Sequence, residues 1–426
     1  MSLKVVCVQA NNYLGRGWQY VTSLQKQVAL HLSLPHEFIV FTDDEAEYPE
    51  PIVKRELPHP GLAGWWQKTA LFKPGLFDDS DRVLCLDLDT LICGSLDEIA
   101  AYDGVHARLA PFFSNLRPEF AGPQSGVMAW RGGFGARIWE AYEMTGYPQN
   151  LKGGDQYFLN KIVPCPDLWQ EMYPGKIGSF KGEGGIIPPE RSILCFHGLP
   201  RMHHVFPDGW VDAKVPVEDG RKRLGGFWFP EGDRECWLAM LSCSDADIEC
   251  VLEFTPQRRV CIQAGGNVGV YPVKLAKHFH HVLTTEPDPV NFECLDRNIA
   301  AHPEGMVAIR GAFGDGSETT AGLTSNSGNV GQSHISGSGD VMMMRIDDLT
   351  MAACDLIYLD IEGYEMKALK GATETIKRFR PTIAIEDNGL SERYGVPRGE
   401  TPAWLCREFD YRIAAEIGRD VILVPN

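Results

Sequence analysis

Short apolar runs recur along the chain, separated by stretches of helical spacing or by clusters of Gly, Pro and polar residues. LKVVCVQ (3–9) and EFIVFTD (37–43) predict buried strands on either side of a helix near 17–32. RVLCLD (82–87), SGVMAWR (125–131) and SILCFHG (192–198) predict further strands, and DQYFLNKIV (155–163) has helical spacing. Such alternation predicts an α/β fold with a mostly parallel sheet covered by helices.

The pattern lapses after His204. Residues 205–235 carry Pro, Gly and charges with little periodicity and mark the best boundary. A second alternating set follows: RVCIQAGG (259–266), HVLTTE (281–286), MVAIRG (306–311), DLIYLD (355–360) and TIAIED (382–387). YRIAAEIGRDVILVP (411–425) predicts a hairpin around Gly418-Arg419. The Gly/Ser-rich stretch 314–340 predicts a mobile loop, either a plain flexible insertion or a substrate lid. The expected division is a domain over 1–215, a linker over 216–235 and a second domain over 236–426. A length of 426 residues suits two cores of this size.

Composition adds exclusions. A formal net charge of −17 argues against nucleic acid and anionic membranes as partners of the whole chain. No apolar run approaches the roughly 18 residues of a spanning helix. The N-terminal MSLKVVCVQANN is too short in apolar residues for a signal peptide. Of the 12 cysteines, Cys7, Cys85, Cys195 and Cys261 lie inside strand-like runs, where they act as small core residues. Cys236, Cys243 and Cys250 recur every seven residues, but Ser244 with Asp247 reads as a helix start between the last two. The expectation is a reduced, cytoplasmic protein.

LCLDLDTLICGSL (84–96) places Asp87 and Asp89 inside an apolar run. In a strand these side chains share a face, roughly 6.6 Å apart along the chain. Burying two such carboxylates unpaired is costly, so either they cap SLDEI (95–99) or lie on a solvated turn, or a divalent cation sits between them at the strand end. Oxygen donors select Mg²⁺ or Mn²⁺.

The flanking residues carry a resemblance. LDLDTLICGSLDEI resembles the metal-binding strand of GT-A glycosyltransferases, especially the glycogenin- and galactosyltransferase-like family eight. VCVQANNYLGRGWQYVTSL (6–24), FTDD (41–44), WWQKTALF (65–72), SGVMAWRGG (125–133), GGDQYFLN (153–160) and FHGLPR (196–201) are similar to blocks of capsule and lipopolysaccharide transferases, in the same order, over residues 3–210. The resemblance implies a GT-A, Rossmann-like nucleotide-sugar domain. Asp87, Asp89 and His197 would ligate the metal, Asp155 and Gln156 would meet donor sugar or acceptor, and Lys68 would meet phosphate or a nearby acid, the alternative being an ordinary solvated lysine. Trp65 and Trp66 are candidates for stacking on sugar or base. Arg201 departs in spacing from the basic residue that this family places after FHG. The donor would be a nucleotide sugar, expected to be UDP-linked, and the acceptor a glycan hydroxyl.

CIQAGGNVGVYPVKLA (261–276) reads as a strand, a Gly-rich turn and a helix start. Gly265, Gly266 and Gly269 permit close backbone approach to a ligand, and Glu286 closes the next strand where an acid would accept from ribose hydroxyls. NAD and S-adenosylmethionine (SAM) both fit such a cradle. The turn lacks a full Gly-x-Gly-x-x-Gly, and the terminal hairpin favours SAM. TTEPDPVNFECLDRNI (284–299), RIDDL (345–349), DLIYLDIEGYEMKALKGA (355–372) and RPTIAIED (380–387) resemble the FkbM family of O-methyltransferases over residues 245–424. By that resemblance the domain is a class I SAM methyltransferase. Gly265, Asn267 and Gly269 line methionine and ribose, Glu286 holds the ribose, and Asp315 lies in the adenine-side loop. Asp360 and Glu362 sit at the mouth of the fourth strand, with Asp360 a candidate base; His334 is a candidate general base toward the acceptor. Gln263 stands where the family places an acid, and Ala264 where it commonly has Gly.

The combined expectation is a bifunctional glycan-modifying enzyme using Mn²⁺ or Mg²⁺, a nucleotide sugar and SAM. The alternatives are an active methyltransferase with a sugar- or nucleotide-binding N-terminal module, and a nucleotide-sensing scaffold without turnover. Neither the oligomeric state nor the glycan can be read from these patterns.

Overall fold

The computed structural model describes residues 2–112, 122–242, 245–301, 305–326 and 328–426. The chain divides into two compact units, Met1–Lys214 and Val215–Asn426.

The first unit is built on a seven-stranded mixed sheet. Its strands, in spatial order, are Ile52–Glu56, Glu37–Thr42, Leu3–Gln9, Arg82–Leu86, Gln124–Arg131, His106–Leu109 and Asp167–Leu168. The first four are parallel, and Gln124–Arg131 runs antiparallel to both neighbours. Leu3–Gln9 and Arg82–Leu86 are apolar on both faces because they lie in the middle of the sheet. His106–Leu109 escapes a hydrophobicity reading because it contains the buried Arg108, which donates to Asn160 Oδ1 at 2.7 Å.

The strand containing the first motif stops at Leu86. Asp87 and Asp89 therefore occupy a turn, closed by the Thr90 N–H donating to the Asp87 carbonyl at 3.1 Å, and not the strand itself. Only Leu88 between them is fully buried. Thr90–Ile92 then enters a different, three-stranded sheet, antiparallel to Ile193–Cys195. This change of sheet turns both acids out of the core and brings the segment after Cys195 beside them.

The second unit has a seven-stranded sheet in the order Met306–Arg310, His281–Glu286, Val260–Ala264, Leu356–Leu359, Thr382–Glu386, Asp420–Pro425, Tyr411–Ile417. The first five strands are parallel; Asp420–Pro425 inserts antiparallel beside Thr382–Glu386 as the terminal hairpin. Buried Ile262, Ile357, Leu359, Ile383 and Leu423 form the heart of its core. Two helices, Cys236–Ser242 and Asp245–Glu253, precede this sheet; Cys243 and Ser244 lie outside the described residues.

Two segments differ from expectation. Residues 216–235 were expected to link the domains, but they contain a three-stranded antiparallel sheet, Val217–Glu218, Arg221–Leu224 and Phe227–Pro230, within the second unit. Its lack of apolar alternation has a local cause: the fully buried Lys222 donates from Nζ to the Glu231 carbonyl at 3.1 Å. The Gly/Ser-rich stretch is not a plain loop, because Thr320–Thr324 pairs with His334–Met344. Glycine is required inside that hairpin, since a Cβ on Gly322 would meet the Ser336 carbonyl at 2.1 Å.

Asn298 ties the small sheet to the glycine turn. Its side chain accepts from the Trp228 N–H at 2.8 Å and donates to the carbonyls of Trp228 (2.9 Å) and Val268 (2.7 Å). Replacing Asn298 by Ala strands these buried groups and is expected to destabilise the second unit by about 2–3 kcal/mol, read by urea denaturation. An unchanged midpoint would mean that the small sheet is not part of this unit.

Candidate functional sites in the two units

In the first unit, a cleft of about 490 Å³ lies over the C-terminal end of Arg82–Leu86. Asp87, Asp89, Lys68, Asp155, Gln156 and His197 all line it. Four separate segments deliver them. The switch of sheets supplies the two acids. The register Thr90↔Cys195, extended by the Phe196 N–H donating to the Asp89 carbonyl at 2.9 Å, brings His197 alongside. The helix Gly154–Ile162 presents Asp155 in its first turn, and the short helix Gln67–Ala70 carries Lys68.

Lys68 organises the cleft. Its buried ammonium lies 3.0 Å from Asp87 Oδ1, 3.2 Å from Asp155 Oδ2 and 3.1 Å from Ser125 Oγ. Burial alone would lower its pKa, but Asp155 and Asp87 on either side raise it well above the ordinary lysine value. Burial pushes Asp87 up to about 7 despite Lys68, and also raises Asp89. Arg201 binds Asp89 Oδ2 and reaches Tyr13 OH at 3.2 Å. Burial, with the cations of Lys181 and Arg201, lowers His197 to about 4, which keeps a neutral imidazole suited to metal ligation.

The donor types therefore fit a divalent cation, but their positions fit incompletely. Among the described residues, the three-residue group whose ligand atoms lie within 4.8 Å of one another is Asp360, Glu362 and Glu386, not Asp87, Asp89 and His197. Lys68 and Arg201 hold the two carboxylates apart, one on Asp87 and one on Asp89. The tryptophan pair divides. Trp66 is buried and stacks on Tyr142, whereas Trp65 is 64% exposed beside the cleft. Ser125, Gln124 and Lys181 also line the cleft. SGVMAWR pointed to the first; nothing around Lys181 pointed to it.

In the second unit, a cavity of about 310 Å³ opens at the C-terminal ends of the parallel strands. Gly265, Asn267, Glu286, His334, Asp360 and Glu362 line it. Gly265 has φ +80°, and a Cβ there would lie 1.8 Å from the Asp360 carbonyl, so only glycine fits. Glu286 is buried; it accepts the Asn267 N–H at 2.7 Å and the Asp288 N–H at 2.9 Å. Burial pushes its pKa up to about 7, partly offset by those two donors.

Asp360 is exposed on the cavity wall, where the surrounding protein desolvates its carboxylate. That desolvation, with the nearby carboxylates of Glu386, Asp420 and Glu362, holds its pKa well above the usual range. Burial and Glu386 likewise push Glu362 up to about 7. The loop carrying both is fixed by the buried Glu365, which accepts the N–H groups of Ile361 (3.1 Å) and Gly363 (3.2 Å). The cavity's outer wall is residues 329–335, pinned by Asn291 Nδ2 donating to the Val330 carbonyl at 3.2 Å and Asn329 Nδ2 donating to Glu235 Oε2 at 2.6 Å.

Three expected positions fall elsewhere. Asp315 does not line the cavity; its carboxylate accepts the Ser317 N–H at 2.9 Å within its own turn. Gly269 starts the helix Val270–Ala276 at φ +99° and acts one step back, setting the turn. Gln263 points inward, donating to the carbonyls of Ala264 (2.9 Å) and Gly265 (3.1 Å). Glu386 and Arg419, not singled out in the sequence, also line the cavity. The strand-end position of Glu386, like that of Glu286, was the available signal.

Two substitutions test these geometries. Lys68→Ala leaves Asp87 and Asp155 facing each other without a cation and is expected to cost about 3–5 kcal/mol at neutral pH. That deficit should shrink as pH falls and Asp87, already raised to about 7, protonates; thermal melts across pH check both. Gly265→Ala, strained and clashing, is expected to cost several kcal/mol or about tenfold or more in cavity ligand affinity, read by melting and titration calorimetry.

Comparison with known proteins gives the following. No curated protein sequence matches the chain. Among solved structures, it resembles the methyltransferase FkbM from Methylobacillus flagellatus KT, 21% identical over 39% of this chain and 43% of that one, TM-score 0.28. It also resembles the glycosyltransferase GlyE of Streptococcus pneumoniae TIGR4, 15% identical over 73% of this chain and 80% of that one, TM-score 0.38. An active-site mutant of LgtC is 12% identical over 46% of this chain and 88% of that one, TM-score 0.34. The chain thus spans less than half the length of the first of these relatives. Residues 263–413, which hold the glycine cradle, Glu286, Asp360 and Glu386, match the family model described as the methyltransferase FkbM domain.

Proposed function

We propose that the chain is a bifunctional glycan-modifying enzyme. The first unit transfers a sugar from a nucleotide sugar to a hydroxyl, and the second methylates a sugar hydroxyl from SAM. The observation that carries the reading is the delivery of Asp87 and Asp89, from one strand end, into the same cleft as His197, Lys68 and Arg201, alongside a separate cavity lined mostly by residues that match a methyltransferase family.

In the cleft, Asp87, Asp89 and His197 would hold Mn²⁺ or Mg²⁺, which would neutralise the charge on a departing nucleoside diphosphate. Lys68 and Arg201 meet the same charge from the protein side. Asp155 and Gln156 orient the donor sugar and the attacking hydroxyl.

In the cavity, Glu286 accepts from ribose hydroxyls while Gly265 lets the ligand approach the backbone. SAM bound there would supply an electrophilic methyl group. Asp360, made basic by its acidic neighbours, is placed to take the acceptor hydroxyl's proton, with His334 the second candidate on the cavity wall. Joining the two units raises the local concentration of one product for the next step.

A second reading is a working methyltransferase with a non-catalytic sugar- or nucleotide-binding first unit. The hold of Arg201 on Asp89, and the failure of the three metal donors to converge, favour it.

Nucleoside diphosphate release is the deciding measurement. With Mn²⁺ and a panel of nucleotide sugars, the protein should release diphosphate from one donor, and Asp87→Asn with Asp89→Asn should lower that rate at least about 100-fold. No release from any donor, with mixed glycan acceptors present, leaves the second reading standing.

Glu286 gives a pH test. Its folded pKa of about 7 stands above the ordinary 4.5. Ionisation therefore costs stability: the penalty is absent below 4.5 and develops as pH rises through 7. Ribose hydroxyls donate to the ionised form. SAM affinity should fall, by up to about tenfold per pH unit, below pH 7. Glu286→Gln should bind more weakly with a flat profile, as titration calorimetry would read.

A further inference from the structure

A second cleft of about 640 Å³ adjoins the methyl-transfer cavity and shares His334, Gln332, Glu362 and Arg419 with it. Its charge is opposite to that of the chain. Arg393, Arg398 and Arg419 all line it, with Glu362 the single acid, in a protein whose formal net charge is −17.

The three arginines come from separate segments: the turn Leu390–Tyr394, the approach to the helix Glu400–Phe409 and the tip of the terminal hairpin. Like charges gathered from three segments repel unless something answers them. Arg393 and Arg398 are exposed and have no ion-pair partner among the described residues. Arg398 uses Nε on the Asp387 carbonyl at 3.1 Å, while the Asp387 carboxylate accepts the Gly399 N–H at 3.0 Å. The outer nitrogens of Arg398 are therefore not spent on that acid. Arg419 reaches Glu386 only at 3.9 Å and is 74% exposed. Offsetting the neighbouring acids does not account for the cluster: Arg393 and Arg419 do lower the pKa of Glu362, but neither forms an ion pair with it. Asn388 adds an amide to the same wall.

We propose that this cleft is the anion-binding subsite of the methyl acceptor. It would take a carboxylate or phosphate borne by the sugar and so place a neighbouring hydroxyl beside Asp360 and His334. Guanidinium forks bind both anions in two-point fashion. The proposal rests on the methyl-transfer reading of the adjoining cavity.

The test uses the full chain and three probes, glucose, glucuronate and glucose 1-phosphate, with SAM affinity measured separately. Wild type should bind at least one anionic sugar about tenfold or more tighter than glucose, since one charged pair contributes about 1.4 kcal/mol or more. Arg393→Gln with Arg398→Gln should bring that preference within about twofold while leaving SAM affinity unchanged. The wild-type preference should also collapse as salt rises from about 0.05 to 0.5 M, which needs no variant. Comparing the two anionic sugars separates a uronic-acid acceptor from a phosphorylated one. Equal binding of glucose and both anionic sugars, or a preference kept by the double variant, overturns the subsite. Failure of SAM to bind overturns the methyl-transfer reading instead, because SAM is titrated alone.

Discussion

A parallel strand buried on both faces cannot carry a charge along its length, but it must leave the sheet somewhere. In both units the carboxylates gather where that happens. Asp87 follows Leu86, Asp360 follows Leu359, and Glu286 and Glu386 are the last residues of their strands. At these points the backbone turns out of the core, and the side chain moves from a place where ionisation is prohibitive to one where it is only expensive. The raised pKa values of Asp87, Asp360, Glu286 and Glu386 are the remainder of that cost. Chemistry at the open ends of α/β sheets draws on this reserve.

The two units meet the cost differently. In the first, cations answer the acids: Lys68 between Asp87 and Asp155, Arg201 on Asp89. On the function proposed for this unit, a diphosphate would share the cations while a metal took over the carboxylates. In the second, acids adjoin acids. Asp360, Glu362 and Glu386 approach one another closely; Glu386 and Glu362 raise the proton affinity of Asp360, and Glu386 raises that of Glu362. Of the three nearby arginines, Arg419 lines both this cavity and the adjoining cleft, while Arg393 and Arg398 line the cleft.

Much of this was legible in the chain. Leu356–Leu359 is a continuous apolar run, Leu3–Gln9 and His281–Glu286 hold apolar and β-branched residues bounded by polar ones, and the terminal hairpin is marked by Gly418-Arg419. The glycine cradle could be read because Gly265 tolerates no side chain at all. Strands holding buried polar residues could not. His106–Leu109 hides Arg108, and Arg221–Leu224 hides Lys222; both donate hydrogen bonds to groups outside their own strands, which strand periodicity does not display. The Gly/Ser composition of 314–340 concealed a hairpin for a related reason: glycine there makes room for a facing backbone carbonyl.

The sequence by itself determined which side chains could do chemistry and which strand ends would present them, since hydrophobic periodicity and residue type are local properties. Partnership was decided only by the tertiary structure. Lys68 lies 19 positions from Asp87, and Arg201 112 from Asp89. Asp315, expected near the ligand, accepts a hydrogen bond within its own turn. Arg393, Arg398 and Arg419 look like unremarkable surface charges until the hairpin and two loops bring them to one cleft. Burial and Coulomb energies depend on distances through space, and those are set by how sheets pair and where strands change sheets, not by position along the chain.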